Sequence, residues 1–162
     1  MVTLDEAFDR TIGHEGRYVN DPDDPGGETN WGISKRSYPN VDIKKLTREG
    51  AKVIWERDFW NPVARLITHR SVVFQLCDAA YNHGFSNAVR ILQRAVDTAD
   101  DGHWGKNSMG RYMTYSENDI LLRFIAYRTK FFIKLTTFSK YGRGWMDRIA
   151  NNLLYAAQDN LD

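Results

Sequence analysis

The chain has 162 residues, of which 42% are apolar and 27% charged, with a net charge of +1. That length sets one domain, with room for a small subdomain, and it supports a core that needs no staple. No stretch approaches the roughly 18 apolar residues of a membrane span, and the lone Cys77 excludes an intramolecular disulfide.

Cys77 lies in the apolar run SVVFQLCDAA and reads as a small buried hydrophobe. The start, MVTLDEAFDR, has acids where a signal peptide would have a basic end and an apolar run. The expectation is synthesis in the cytoplasm without a classical signal and without stable membrane anchoring. A target outside the membrane would then require release by some other route.

The periodicity is helical almost throughout. Thr3-x-x-Glu6 reads as a capping box, and Leu4, Phe8 and Ile12 follow on one helical face that ends near Gly13 to Gly16. Residues 19–30, VNDPDDPGGETN, read as loop, with Trp31 to Ser34 a short extended piece. Thr47 caps a helix to about Phe59, which Asn61-Pro62 ends. Ser71 opens an apolar helix to about Asn82, stopped by Gly84. Ser86 caps another that carries Val89, Leu92, Gln93 and Val96 on one side. Residues 97–105 form turns, Ser116 starts a long helix to about Leu135, Gly142 and Gly144 punctuate, and a last helix runs from about Trp145 to Gln158. Strand signals are weak, so the fold class is mainly α, with a short β piece near the acidic loop and two lobes as one arrangement.

Charge is uneven. Residues 1–34 hold eight acids against Arg10 and Arg17, about −6, while residues 103–148 hold nine bases against Glu117, Asp119 and Asp147, about +6. A basic half suits an anionic polymer, whether nucleic acid, peptidoglycan or anionic lipid; solvated helix faces explain it equally well.

The chemistry concentrates in residues 13–34, GHEGRYVNDPDDPGGETNWGIS. Glu15 falls at the expected C-terminal end of a helix, where the macrodipole disfavours a carboxylate, and partial burial acts the same way. A carboxyl held protonated near neutral pH is what a glycosidase general acid requires. The glycine-rich acidic loop can return Asp24 and Thr29 toward Glu15, as a second carboxylate and a water-positioning hydroxyl. Asp21 and Asp23 read as turn chemistry. Glu28 is either an ion-pair partner of Arg17 or another base, or a second catalytic carboxylate. An EF-hand reading of Asp21-x-Asp23 fails at Pro25 and Gly32, and the four histidines lack zinc spacing, so no metal site is expected.

The text HEGRYVNDPDDPGGETNWGIS closely resembles the N-terminal signature of glycoside hydrolase family 108, the phage and bacterial N-acetylmuramidases. The resemblance continues through YPNVDIKKLTREGAKVIWERDFWNP, DAAYNHGFSNAVRILQRAV, DDGHWGKNSM and KYGRGWMDRI, nearly the whole chain. It implies hydrolysis of the β-1,4 bond between N-acetylmuramic acid and N-acetylglucosamine, a lysozyme-like helical domain and no cofactor. Glu15 takes the place of the family's acid. The spacing Glu15, Asp24, Thr29 also looks like the Glu-Asp-Thr triad of phage lysozymes, with one fewer residue before the Thr. Arg17 stands where the family commonly has a second Gly.

Substrate-binding candidates follow. Tyr18 and Trp31 flank the acidic loop and could stack on sugars, or pack the loop. Gln75 and Asp78 lie one helical turn apart and could face a cleft. Tyr81 and Asn82 end a helix at its Gly-bounded edge, where Asn82 could bind an N-acetyl group or cap the helix. The expected organisation is a catalytic region over 1–90 and a helical peptidoglycan-binding region over 91–162. The partner is peptidoglycan, not nucleic acid; the protein is expected to be a monomer, an endolysin released by a holin or other translocation system. A lytic transglycosylase and a non-catalytic peptidoglycan-binding protein are the alternatives, and the same enzyme type would serve wall editing in bacterial secretion.

Overall fold

A computed structural model of the chain describes residues 2–13, 17–21 and 27–160. It is mainly α with one small antiparallel sheet, as the periodicity predicts. The chain divides into two compact units, one over Thr3–Asn61 and the other from Pro62 onward with Val2.

In the first unit, α1 (Leu4–Ile12) starts on the expected capping box. The Thr3 hydroxyl accepts the Glu6 N–H at 3.2 Å, and the Glu6 carboxylate accepts the Thr3 N–H at 2.8 Å. Such a cap stabilises a helix by about 1 kcal/mol. Ala7, Phe8 and Thr11 are buried, and the Phe8 ring meets Trp55 edge-on at 5.7 Å. Gly13, at φ 69°, ends the helix in a backbone region that suits a residue without Cβ. On the outer face, Asp9 and Asp5 pair with Arg48 and Lys52 at 2.5 and 2.7 Å. These pairs are exposed and add little.

The stretch expected as loop is bounded by strands. β1 (Val19–Asn20), β2 (Glu28–Asn30) and β3 (Ile33–Ser34) form a three-stranded sheet in chain order, with Val19 opposite Thr29 and Thr29 opposite Ser34. Two- and three-residue strands are too short for hydrophobic alternation to announce them. The Asn30 amide holds the sheet, donating to the carbonyls of Ile43 and Leu46 at 3.0 and 3.1 Å.

Thr47 caps α2 (Arg48–Trp55) as expected. Asn61-Pro62 does not stop the helical path. The backbone widens to a π-helical turn over Glu56–Trp60, where the Asn61 N–H still reaches the Glu56 carbonyl, and continues as α3 (Asn61–Ala64). Pro62, with no N–H to give, sits in the first turn of α3, where none is required.

The second unit is helical: α4 (Arg70–His83), α5 (Phe85–Ala95), α6 (Lys106–Tyr112), α7 (Glu117–Ile133) and α8 (Phe138–Asp159). Gly84, at φ 81°, ends α4 and caps α5, so Ser86 lies inside α5. Ten consecutive residues of α4, Ser71 to Ala80, are buried. Such all-round burial marks α4 as the central helix, and Cys77 is a buried hydrophobe within it, its thiol pushed up by burial. α6 was not expected: seven residues with an internal Gly carry little propensity. The long α7 is capped by Ser116 as read from sequence.

Gly142 and Gly144 lie within α8 and do not break it. The two differ. A Cβ on Gly142 would come within 2.9 Å of the Phe138 ring, which stands 6.2 Å from Trp145. A Cβ on Gly144 would meet nothing within 4 Å. Gly144→Ala should therefore raise stability by about 0.5–1 kcal/mol. Gly142→Ala should lose that gain to overpacking and come out less stable than Gly144→Ala, as paired urea titrations would measure.

Candidate active site

Glu15 and Asp24, the expected acid and second carboxylate, lie outside the described residues. Gly13 closes α1 just before Glu15, and β1 and β2 precede and follow Asp24 in sequence.

Thr29 is the central residue of β2. Strand side chains alternate, so Thr29 projects away from the face on which Asn30 is buried and anchored. Its cross-strand neighbours on that other face are Val19, 51% exposed, and Ser34. The Thr29 side chain thus lies on the open face of the sheet. Tyr18, just before β1, donates its phenol O–H to the Glu28 carboxylate at 2.9 Å, and this bond raises the Tyr18 pKa. Glu28 thereby braces the hairpin.

Trp31 is not in an extended piece. With Gly32 it forms the two-residue turn between β2 and β3, and both have positive φ, 50° and 74°. That pair of angles belongs to a type I′ hairpin turn, whose usual first residue is Asn or Asp. A large side chain held there costs on the order of 1–3 kcal/mol. Tyr18, Thr29 and Trp31 are therefore brought together on one small sheet.

The other candidates sit on α4, in the second unit. Gln75 and Asp78 are fully buried, which corrects the expectation that they face a cleft. The Gln75 amide donates to the Asn152 carbonyl at 2.9 Å. Asp78 is the centre of an ionic cluster. Arg128 Nη1 and the Asn152 amide donate to its Oδ2 at 2.7 and 2.8 Å; Arg148 donates through Nε to Oδ2 at 3.1 Å and through Nη2 to Oδ1. Burial works against the Asp78 charge, but the two guanidiniums prevail and hold its pKa at about 2. The Arg128 Nε–H donates to His83 Nε2 at 3.1 Å. His83 is thus a neutral acceptor, and burial together with Arg128 lowers its pKa to about 3.

Tyr81 is half-buried beside this cluster, its pKa raised by burial. Asn82 is exposed, and its amide donates to the Asp78 carbonyl one turn back at 2.7 Å, the helix-capping role weighed for it. Sequence reading missed Asn30 and the partners Arg128, Arg148 and Asn152. An acid in the apolar run around Asp78 was the available signal that some cation had to meet it. Two of the nine bases in the basic half, Arg128 and Arg148, are consumed there. Arg123 pairs with Asp97 at 2.7 Å, so the basic half is less a free cationic face than its composition suggests. Among the described residues no group of His, Cys, Asp and Glu is disposed to hold a metal, and no helix is long and apolar enough to cross a membrane.

Residues 8–84 match the family described as Glycosyl hydrolase 108. No curated protein matches the chain. Among solved structures the chain is similar to Brucella abortus SagA, with a TM-score of 0.84 and 28% sequence identity, over 98% of this chain and 96% of that one. The family match contains every site candidate named above, from Glu15 to Asn82, and ends before the basic half.

The Asp78 cluster has a measurable consequence. Asp78→Asn removes the charge that answers two guanidiniums, one of them wholly buried, and should cost about 3–5 kcal/mol in urea unfolding. His83 adds a pH term. Its folded pKa is depressed, so its contribution is complete above pH about 6.5 and is lost as the pH falls toward about 3. Stability should drop over that window by up to ~1.4 kcal/mol per pH unit, and His83→Gln, which keeps an acceptor for Arg128, should flatten that limb.

Proposed function

We propose that this chain, whose residues 8–84 match glycosyl hydrolase 108, is a glycoside hydrolase of peptidoglycan that hydrolyses the β-1,4 bond between N-acetylmuramic acid and N-acetylglucosamine with Glu15 as general acid. The observation that carries this reading is the family match over the segment that holds Glu15, Asp24 and Thr29, with Thr29 on the open face of a sheet braced by Asn30.

Each residue has a task. Glu15 follows the C-terminal end of α1, whose dipole favours the protonated carboxyl, and gives its proton to the glycosidic oxygen. Asp24, with the Thr29 hydroxyl, positions the attacking water, or stabilises the oxocarbenium-like transition state. A carboxyl separation of roughly 5–5.5 Å would give retention and one of roughly 6.5–9.5 Å inversion. Trp31, and Tyr18 through its ring, supply faces on which a sugar can stack, and Tyr81 and Asn82 are further substrate contacts. Gln75 and Asp78 act from the interior by fixing α4, which carries Tyr81 and Asn82. Residues 91–162 hold the wall polymer through those cations of the basic half that Asp78 and Asp97 do not engage. An endolysin role with holin-dependent release completes the reading, and a holin gene beside this one would support it.

Mass spectrometry of digested peptidoglycan tests the chemistry. Wild type should leave reducing-end muropeptides, and Glu15→Gln should lower their yield by orders of magnitude with an unchanged circular dichroism spectrum. Anhydro ends would make the enzyme a lytic transglycosylase, and cut peptide stems would overturn the glycosidase reading. Trp31 gives a second check. Trp31→Asn relieves the turn and should raise the thermal midpoint, while lowering kcat/KM on glycan by about tenfold through the lost stacking surface. Unchanged kcat/KM would remove Trp31 from the site.

A further inference from the structure

One open hollow in the second unit, about 550 Å³, lies mostly within residues 91–162 and says which part of the wall polymer that region takes. It is lined by Arg65, Leu66, Trp104, Lys106 and Met109 with two glycines, and its size is that of a small-ligand site. Trp104 is braced, its ring edge-on to buried Tyr112 at 5.9 Å, and the Tyr112 hydroxyl is bonded to His69 Nδ1 at 2.8 Å.

The lining has a one-sided hydrogen-bond chemistry. Arg65 and Lys106 are donors only, Leu66 offers nothing, and the Met109 thioether is a weak acceptor. Trp104 adds apolar surface, since its indole Nε1 is shielded from solvent and unpaired. Neutral sugar hydroxyls, which donate as well as accept, find no strong side-chain acceptor here. Arg65 and Lys106 are both exposed, and neither has an ion-pair partner among the described residues. In this unit Asp97 and Asp100 are engaged elsewhere, with Arg123 and Arg94. Two unanswered cations beside Leu66, Met109 and an aromatic ring fit a ligand that carries carboxylates together with small apolar groups.

We propose that this hollow binds the peptide stem of peptidoglycan through its carboxylates, as a site separate from the one that cleaves the glycan. The proposal rests on the reading that peptidoglycan is the substrate. The stem supplies what the lining lacks: free carboxylates for Arg65 and Lys106 and alanine methyls for Leu66, Met109 and the indole. Engagement there would tether the enzyme to stem-bearing wall while the cleavage site works on the glycan.

The test is calorimetric titration of the full chain carrying Glu15→Gln, so that glycan survives. The probes are a free stem tetrapeptide, glycan strands stripped of stems, and a single-stranded oligodeoxynucleotide. The tetrapeptide should bind, and the double variant Arg65→Glu, Lys106→Glu should weaken it at least tenfold, the loss expected for charge-assisted bonds. Stripped glycan should be indifferent to that reversal. Because a Cβ at Gly110 meets nothing within 4 Å, Gly110→Trp fills the hollow from open space and should block the tetrapeptide as well. No binding of the tetrapeptide, an affinity unmoved by the charge reversal, or an equal dependence for stripped glycan or the oligonucleotide would each overturn the proposal. Digestion of wall by wild type is scored separately. Normal digestion with no tetrapeptide site sinks only this proposal, and tetrapeptide binding without digestion sinks only the glycosidase reading.

Discussion

A carboxylate sealed among helices must be answered by cations from those helices, and in this protein Asp78 is that carboxylate. It belongs to α4, while Arg128 comes from α7 and Arg148 and Asn152 from α8, so one side chain ties the three together. The Asp78 and Arg128 side chains are 1% and 0% exposed, so removing either charge would leave the other buried and poorly answered. Arg148, 28% exposed, carries the excess positive charge toward solvent. An apolar replacement of the whole group could be as stable, but it would not set the angular register of three helices through directed bonds. His83 extends this constraint to the last turn of α4, since it serves Arg128 only while neutral. Through that turn the cluster governs where Tyr81 and Asn82 stand.

The first unit is held by a different kind of device. Its sheet is too small to be stable by strand pairing alone. It stands because the Asn30 amide is fastened to two carbonyls of the following segment and because Tyr18 braces Glu28. Within that frame the Trp31-Gly32 turn carries an unfavourable backbone angle at a bulky residue. Strain of that kind persists only where the surroundings over-determine it, and it is found disproportionately at sites that act on ligands. The hairpin and the helical cluster thus contribute separately: one fixes Thr29 and Trp31, the other fixes the end of α4.

The basic half shows how composition and function part ways. Its nine bases suggested a cationic face, yet Arg128 and Arg148 serve the interior and Arg123 a local pair. What remains is patchy, and Arg65, which falls outside that half, joins Lys106 at the hollow beside Trp104. Net charge over a segment says nothing of which cations already have partners.

The sequence by itself determined the helical class, the caps at Thr3, Thr47 and Ser116, the stop at Gly84 and the likeness to glycosyl hydrolase 108 over residues 8–84. All of these are local: a cap, a turn or a signature is written within a few neighbouring residues. Tertiary structure decided what depends on distant partners. It kept Gly142 and Gly144 inside α8, carried the helical path past Pro62 through a π-turn, and turned two short stretches of the acidic loop into strands. It also took Gln75 and Asp78 from a supposed cleft into the core, because the cations and carbonyls that satisfy them lie 50 to 77 residues away in the chain. No local pattern encodes a partner at that separation, since only packing brings the two together.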